Sequence, residues 1–303
     1  MTGTAEIRPV DPERDAAGIV DVIHEVFPST ITVEGWLQEH ARIPPRARNQ
    51  AWVAVVDDEV AALAQASLNA WSDTRTAFAR INVRRAFRRN GIGTALAQHV
   101  GEHLQALQPS RVLTMFVETP EGAAFAHRHG FEEVRAEALS CVDPHVVDDS
   151  PVDEADVDVV PLRALQPKDV YEVDMITTAD VPMTDQVDNM PFEEWMELIW
   201  RRPAMRLDGS FAALDDGRAI SIAMLAANLP KRRAFNEYTG TLPSHRGRGL
   251  AELVKLASLR WARDNGITEV WTTNDETNAP MLAVNKRLGY ETRLRRVEYL
   301  RGA

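Results

Sequence analysis

The sequence has 303 residues, of which 34 are Lys or Arg and 45 are Asp or Glu, for a formal net charge of -11. An acidic chain lacks the positive field with which proteins bind nucleic acid or anionic membranes independently of sequence, so the net charge argues against both partner classes. The same charge would attract cationic amines. The length predicts about two domains, each large enough to have its own core.

Two further features bear on location and redox state. No apolar run approaches the length of a membrane span, and the first eleven residues lack the basic and apolar regions of a signal peptide, so we expect a cytoplasmic protein. Cys141 is the one cysteine, which excludes an intrachain disulfide. We interpret it as a small buried thiol, since a nucleophile would need a base nearby.

The first half of the chain alternates strand and helix patterns around one glycine-containing turn. The predicted elements are, in order, a strand at residues 7–10, helices at 16–26 and around 36–37, hairpin strands at 51–56 and 60–68, and a strand at 77–83. Arg88-Arg89-Asn90-Gly91-Ile92-Gly93 then enters an amphipathic helix, followed by a strand at 112–117 and a helix at 123–129.

The second half repeats this order. Its elements are a first segment at 160–162, a helix at 195–200, hairpin strands at 211–214 and 220–226, a strand at 234–239, a helix from 250, a strand at 270–274 and a helix at 279–288. Arg88 to Gly130 and Arg246 to Gly289 span nearly equal distances, which indicates a duplicated domain rather than a short repeat. We place the halves at residues 1–143 and 159–303, with an acidic linker at 144–158. Each is expected to be an α/β domain, an α+β mixed sheet flanked by helices.

The turn from Thr241 to Ala251 has the layout of a phosphate cradle. Free N–H groups at a helix start, beside the positive end of the helix dipole, bind a pyrophosphate, and glycines let the backbone approach closely. Its spacing excludes a Walker A loop, which ends in Gly-Lys-Ser/Thr, and the G-x-G-x-x-G of dinucleotide-binding folds. The pattern that remains is Arg-x-x-Gly-x-Ala.

This pattern, after a strand and before a helix, resembles the (Gln/Arg)-x-x-Gly-x-(Gly/Ala) signature of the GNAT superfamily of acyl-CoA-dependent N-acyltransferases. Asn278 to Tyr290 resembles the later motif of the family, Asn-x-x-Ala-x-x-x-Tyr-x-x-x-Gly-Phe. The resemblance covers both halves. It implies two tandem GNAT-like domains that use acetyl-CoA as acyl donor, with no metal, and a pantetheine held where strands 235–242 and 270–274 splay apart.

The resemblance also implies which residues hold the coenzyme. In the second half they are Thr241, Leu242, Arg246, Gly247, Arg248, Gly249, Leu250, Ala251, Asn278 and Asn285. The first half supplies a second set, Val83, Arg88, Arg89, Asn90, Gly91, Ile92 and Gly93.

Transfer of an acyl group to an amine requires a base. Strand alternation predicts that residues 235, 237, 239 and 241 share one face, and Glu237 is the one acid on that strand. We predict that Glu237 is the general base, acting directly or through water. The alternative is a strand carboxylate that pairs with Arg232 or Arg233.

The proton for the leaving thiolate has no assigned donor, because Asn285 stands where the family usually has Tyr. The first half matches the family less well, since Ala79 corresponds to Glu237 and Ala126 to Asn285. We therefore predict that the first half is non-catalytic and leave open whether it binds acyl-CoA. This arrangement resembles tandem GNAT proteins of similar length in which the second half is active.

The predicted function is acetyl-CoA-dependent N-acetylation of a small-molecule primary amine by direct attack, catalysed by the second half. The alternatives are an acyl-CoA-binding or sensing protein without turnover, and acetylation of a protein amine. Residues 182–190 lie where the family places an acceptor-covering loop, although an ordinary loop is the simpler interpretation. His99 and His103 are interpreted as a surface pair rather than metal ligands. Monomer and homodimer remain equally open.

Overall fold

The computed structural model describes residues 5–148, 157–181, 184–185 and 190–302. The strands in this part of the chain are β1 (Glu6–Pro9), β2 (Gln50–Val56), β3 (Glu59–Leu68), β4 (Thr76–Val83), β5 (Arg111–Val117), β6 (Glu132–Val142), β7 (Asp158–Pro161), β8 (Phe211–Asp215), β9 (Arg218–Asn228), β10 (Arg233–Thr241), β11 (Glu269–Asp275) and β12 (Glu291–Gly302). The helices are α1 (Pro12–Val26), α2 (Val33–Ala41), α3 (Ile92–Leu107), α4 (Pro120–Arg128), α5 (Pro167–Thr178), α6 (Phe192–Trp195), α7 (Leu250–Asp264) and α8 (Ala279–Arg287).

The chain forms two compact units, each with its own set of paired strands. Among the described residues the first unit comprises 5–136, 184–185 and 296–302, and the second comprises 137–148, 157–181 and 190–295. The strand order is β1-β2-β3-β4-β5-β12 in the first unit and β6-β11-β10-β9-β8-β7 in the second. Within each sheet one pair of neighbours is parallel, β4 with β5 and β10 with β11.

The division differs from the predicted boundaries at residues 143 and 159. The second part of β6 pairs antiparallel with β11, from Glu137 to Val142, and therefore completes the sheet of the second unit. The last residues of β12, Arg296 to Gly302, pair antiparallel with β5 and complete the sheet of the first. Each half of the sequence thus supplies the final strand of the other unit. The predicted linker lies largely outside the described residues, since its residues 149–156 are not among them.

Helices cover both faces of each sheet, as the mixed α/β prediction requires. In the first unit α1 and α2 bury Ile19 and Trp36 on one face, whereas α3 buries Leu96 on the other. In the second unit the helices α5 and α6 bury Val170 and Trp195 on one face. Leu256 and Leu259 of α7 pack on the opposite face. Among the described residues no helix combines the length and apolar character of a membrane span.

Local sequence signals explain most element ends. Asp57 and Asp58, between the two predicted hairpin strands, are both left-handed, with φ of 49° and 63°, which is the backbone of a tight hairpin. The predicted helix at 195–200 begins as α6 at Phe192 and continues from Met196 to Trp200 as a π-helical turn. Such turns are rare and occur frequently at functional sites.

Gly240 of β10 lies where the α5 residue Thr177 packs closely against the sheet. An added Cβ at this position would lie 2.2 Å from Thr177 Oγ1 and 2.9 Å from Tyr238 Cε1. We expect Gly240→Ala to lower the free energy of unfolding by about 1–3 kcal/mol, because the helix must move or the side chains must leave their rotamers. Urea denaturation measures this loss.

The control is Gly101→Ala in α3, where an added Cβ meets no atom within 4 Å. Alanine is the better helix former, so this variant should gain up to about 1 kcal/mol. Equal stability of the two variants would contradict the close approach at Gly240.

Candidate active site

The turn between β10 and α7 has the backbone of an anion cradle. Gly247 and Gly249 adopt left-handed φ values of 77° and 76°, and α7 begins at Leu250. An added Cβ at Gly247 would meet no atom within 4 Å, so the space beside the turn is open. The first N–H groups of α7 have no acceptor within the helix and stand at the positive end of its dipole. The geometry therefore fits a pyrophosphate.

The cations of this turn are held by exchangeable contacts. Arg246 folds back so that Nε donates to Thr241 O at 3.2 Å, and Nη2 pairs with Asp180 at 2.5 Å. Arg248 and His245 both approach Asp215, at 3.5 Å. Exposed ion pairs of this kind contribute little to stability. Both guanidinium groups can therefore turn to a phosphate at small cost.

The parallel strands next to the turn separate where the resemblance places the pantetheine. Pairing of β10 with β11 runs from Arg233 opposite Glu269 to Asn236 opposite Thr272 and ends there. Beyond this point β10 pairs only with β9, and β11 only with β6, among the described strands. The backbone edges of 237–241 and 273–275 are thus left facing a gap that leads to Thr241 and Leu242.

Glu237 lies in a β-bulge at the start of this gap. The register against β9 shifts between Asn236, which faces Leu225, and Tyr238, which faces Met224, so Glu237 has no partner across the strand pair. A bulge leaves its extra residue out of the ladder and re-aims its side chain. Glu237 is therefore the β10 residue whose direction the sheet does not fix.

The bulge overturns the predicted alternation along β10. Phe235 and Tyr238 face Ala226 and Met224, two positions apart on β9, and therefore share a face. Thr239 and Thr241 face Ala223 and Ser221 and lie on the opposite face. The prediction that residues 235, 237, 239 and 241 share one face is wrong, because the extra residue resets the two-residue period.

The Glu237 carboxylate is bound by a residue that the sequence did not indicate. Arg202 Nη2 pairs with Glu237 Oε1 at 2.6 Å, and the Glu237 side chain is 31% exposed. The predicted alternative partners are engaged elsewhere. Arg232 donates to Gly266 O at 2.8 Å, and Arg233 pairs with Glu269 at 2.9 Å. Arg202 lies 35 residues before Glu237, and no local pattern connects them.

The two asparagines of the later motif have different surroundings. Asn278 is the N-cap of α8, and its side chain accepts from Met281 N at 3.2 Å. Asn285 is 3% exposed and its Nδ2 donates to Asn274 Oδ1 at 2.5 Å. Its Oδ1 is buried and meets no hydrogen-bond partner among the described residues. Such an orphaned acceptor fits a ligand that brings a donor, whereas the Asn278 side chain already has a structural role.

A polar cluster on the α5 face was also not predicted. Trp195 Nε1 donates to Asp174 at 2.6 Å, and the Tyr238 hydroxyl meets Thr177 Oγ1 at 2.6 Å. Burial raises the pKa of Asp174, although the hydrogen bonds from Trp195 and Thr178 oppose the shift. Burial likewise raises the pKa of Tyr238 to about 12. A signal was present, because Asp174 and Thr177 occupy the apolar stripe of α5 with Val170 and Val173.

The first unit has the same turn without the same surroundings. Arg89 and Gly91 adopt φ values of 66° and 80°, α3 begins at Ile92, and Arg88 Nε donates to Val83 O at 3.0 Å. The register of β4 against β3 shows no shift, so no bulge is present.

The neighbours of this turn differ from those in the second unit. Ala79 stands at the position of Glu237, and Ala126 stands at the position of Asn285. Both alanines are buried. An added Cβ at Gly93 would lie 3.7 Å from the Phe125 ring and 3.8 Å from Val83. The first unit therefore keeps the cradle, but its strand β4 has neither a bulge nor a carboxylate.

The remaining candidates have structural surroundings. Cys141 is half-buried and its pKa is raised to about 12, mainly by burial and further by Glu269, so its thiol is neutral. His99 and His103 pack against Trp52, with ring centroids 6.1 and 5.9 Å away. Among the described residues no group of three or more His, Cys, Asp or Glu side chains is arranged to hold a metal ion.

The predicted acceptor-covering loop at 182–190 is described only at residues 184, 185 and 190. Residues 184 and 185 group with the first unit, where Asp185 is bound by Asn69 at 2.6 Å and Arg111 at 2.9 Å. The rest of this loop lies outside the described residues.

Comparisons with known proteins agree with this geometry. The profile of the Acetyltransferase (GNAT) family matches residues 18–131 and again residues 170–290. A mycothiol acetyltransferase from Saccharomonospora viridis is 27% identical over 237 residues, which is 74% of this chain and 74% of that protein.

Two solved structures share the fold. A tandem GNAT protein from the clavulanic acid biosynthesis pathway has 21% identity and a TM-score of 0.76, covering 99% of this chain and 98% of that one. A GCN5-related N-acetyltransferase from Sphaerobacter thermophilus has 19% identity and a TM-score of 0.72, covering 98% and 95%. The predicted tandem organisation, similar to that of mycothiol synthase, is confirmed. The chain belongs to the Acetyltransferase (GNAT) family and is an N-acetyltransferase with two GNAT domains in tandem.

Proposed function

We propose that the second unit transfers an acetyl group from acetyl-CoA to the primary amine of a small molecule, by direct attack of the amine on the thioester. The observation that carries this proposal is the bulge at Glu237, beside an open cradle and between separating parallel strands. The first unit has the cradle and the separating strands but a regular β4. The proposal therefore makes the second unit catalytic and the first unit non-catalytic.

In this mechanism the turn holds the pyrophosphate through the N–H groups of residues 247–251 and through Arg246 and Arg248. The bulge leaves backbone groups out of the ladder, and an N–H there is available to the thioester oxygen as negative charge develops on it. Such electrostatic stabilisation is usually the largest single contribution to acyl transfer.

Glu237 is the proposed general base. Arg202 binds its Oε1 and fixes the direction of the carboxylate, while Oε2 is left to accept a proton from the acceptor nitrogen, directly or through one water. A carbon–nitrogen bond forms and the carbon–sulfur bond breaks. Asn285 has no acidic proton, so the departing thiolate takes its proton from water or from the acceptor.

The net charge of -11 attracts cations and therefore favours a cationic acceptor. The substrate of the related mycothiol acetyltransferase belongs among the acceptors to test, together with aminoglycosides, amino acids and simple amines.

The test is to incubate the protein with acetyl-CoA and this set of amines and to follow the release of free thiol. We expect release with at least one small amine and a product that carries one acetyl group on nitrogen. Tight coenzyme A binding without release would support the alternative, an acyl-CoA-binding protein without turnover. Release only with peptide acceptors would support acetylation of a protein amine.

A further inference from the structure

A lysine is buried in the second unit next to the bulge. Lys255 lies on α7 and is 1% exposed. Its Nζ donates to Asn236 Oδ1 at 3.1 Å, and the ring centroid of Tyr290 lies 4.9 Å from the same nitrogen. Lysine is almost never fully buried unless it is paired. The partner here is a neutral amide, and the mechanism proposed above does not use the residue.

Asn236 connects Lys255 to the candidate base. It is the last β10 residue that pairs with β11, and the register shift begins immediately after it. Its Oδ1 accepts a second hydrogen bond from Thr239 Oγ1 at 2.8 Å, across the bulge. Its backbone oxygen accepts from Thr272 Oγ1 at 3.3 Å. The Asn236 side chain therefore ties both ends of the bulge to α7 through Lys255.

The surroundings of Lys255 offer few acceptors to an ammonium group. An ammonium group has three N–H donors, whereas the described contacts provide one oxygen and one ring face. Glu252, one turn earlier on α7, is bound to Arg287 of α8 at 2.7 Å. Tyr290 is the titratable side chain in contact with the amine, and burial raises its own pKa. Burial lowers the pKa of Lys255 to about 7.

We propose that Lys255 is a positioning residue: through its hydrogen bond to Asn236 it holds the β10 bulge in the shape that presents Glu237, and only its uncharged form does so. A charged amine in this place requires further acceptors, which Nζ gains by turning away from Asn236. This movement releases the link across the bulge. The inference rests on the proposed function, because its effect is on the rate of acetyl transfer.

The test is the pH dependence of kcat at saturating acetyl-CoA and amine. In the wild type kcat should rise through pH 7 as Lys255 loses its proton. In Lys255→Met, which keeps the length and loses the charge, this limb should be absent while KM for acetyl-CoA stays close to the wild-type value. Two acceptors with different amine pKa values separate the two contributions to the pH profile. The rise in kcat that is caused by deprotonation of the acceptor shifts with the pKa of the acceptor amine, whereas the rise that is caused by Lys255 stays at the same pH.

Two further variants keep the test decisive if Lys255→Met folds poorly. Asn236→Ala removes the link and should abolish the same limb, and the double variant should lose no more kcat than the worse single variant, since both act through one contact. Leu259→Ala is the control for lost core packing on α7, where Leu259 is 1% exposed. This variant should be less stable than the wild type and should still show the rise of kcat through pH 7.

Stability gives an independent readout. The unfolded chain keeps the lysine proton up to its ordinary pKa of about 10.4, whereas the folded chain loses it near pH 7, so the wild type should become more stable as pH rises between these values. The unfolding equilibrium constant should fall by up to about tenfold per pH unit there. Lys255→Met should lack this dependence.

The outcomes separate the two proposals. If the wild type turns over and Lys255→Met keeps the limb at pH 7, with kcat lowered evenly or unchanged, Lys255 is only structural and the inference is wrong. If the wild type releases no thiol with any acceptor, the proposed function fails and the inference fails with it. Loss of the limb in both Lys255→Met and Asn236→Ala, with the limb kept in Leu259→Ala, supports it.

Discussion

Glu237→Gln should lower kcat for acetyl transfer by about 10²- to 10⁴-fold, the range that positioned general bases contribute. The amide keeps the size of the side chain and can still contact Arg202, but it cannot accept a proton from the acceptor nitrogen. KM for acetyl-CoA should change little, because Glu237 lies at the bulge and the cradle begins after Thr241. Steady-state kinetics with saturating acceptor measure both quantities.

The matched control is Glu269→Gln. Glu269 is also a carboxylate on a central strand of the second unit, and Arg233 binds it at 2.9 Å, as Arg202 binds Glu237 at 2.6 Å. If Glu237 is a structural ion pair, the two substitutions should have similar small effects on kcat. If it is the base, only the substitution at 237 removes activity. Arg202→Met extends the comparison, since a purely structural pair would make it as damaging as Glu237→Gln.

The parts of this fold that could be predicted are those encoded by local sequence. The turn after β10 needs two left-handed residues before a helix, and the glycines at 247 and 249 indicate it directly. The Asp57-Asp58 hairpin and the N-terminal caps of α1 and α8 depend in the same way on residues within four positions of each other. For this reason the sequence predicts the cradle twice, once in each half.

The parts that could not be predicted depend on pairing between distant residues. The bulge at Glu237 is a relation between β10 and β9, and it resets an alternation that the sequence of β10 alone makes regular. The division between the units depends on which strand β6 and β12 pair with, which neither strand's composition specifies. Arg202 contacts Glu237 only because the turn after the π-helical segment returns to the sheet.

The same distinction applies to Lys255, whose role the sequence alone does not indicate. A lysine in the apolar stripe of α7, between Val254 and Ser258, is a visible anomaly in the sequence. Its significance depends on Asn236, which is 19 residues away and next to a bulge that the sequence did not reveal. A polar residue on the buried face of a helix is therefore a useful signal even when its partner is unknown.

Because we assign catalysis to the second unit alone, two equivalent charge reversals, one in each unit, should have different effects on activity. Arg246→Glu places a carboxylate at the cradle of the proposed active site, where it repels the pyrophosphate. A hydrogen bond to a charged group contributes about 1.5–3 kcal/mol, so losing it lowers kcat/KM for acetyl-CoA by about 10- to 100-fold, and repulsion adds to that. Arg88→Glu should leave kcat/KM nearly unchanged, because the first unit has neither the bulge nor the carboxylate.

The two arginines are closely matched, which makes this comparison informative. Each donates from Nε to the carbonyl five residues earlier, at 3.2 Å for Arg246 and 3.0 Å for Arg88, and each lies near an acid, Asp180 or Glu25. The structural cost of the substitution should therefore be similar, and thermal unfolding of both variants checks that it is. If only one of the two variants loses kcat/KM, its cradle is the one that holds the reacting acetyl-CoA. Equal losses in the two variants would mean that turnover needs both cradles, and the assignment of catalysis to the second unit alone would be wrong.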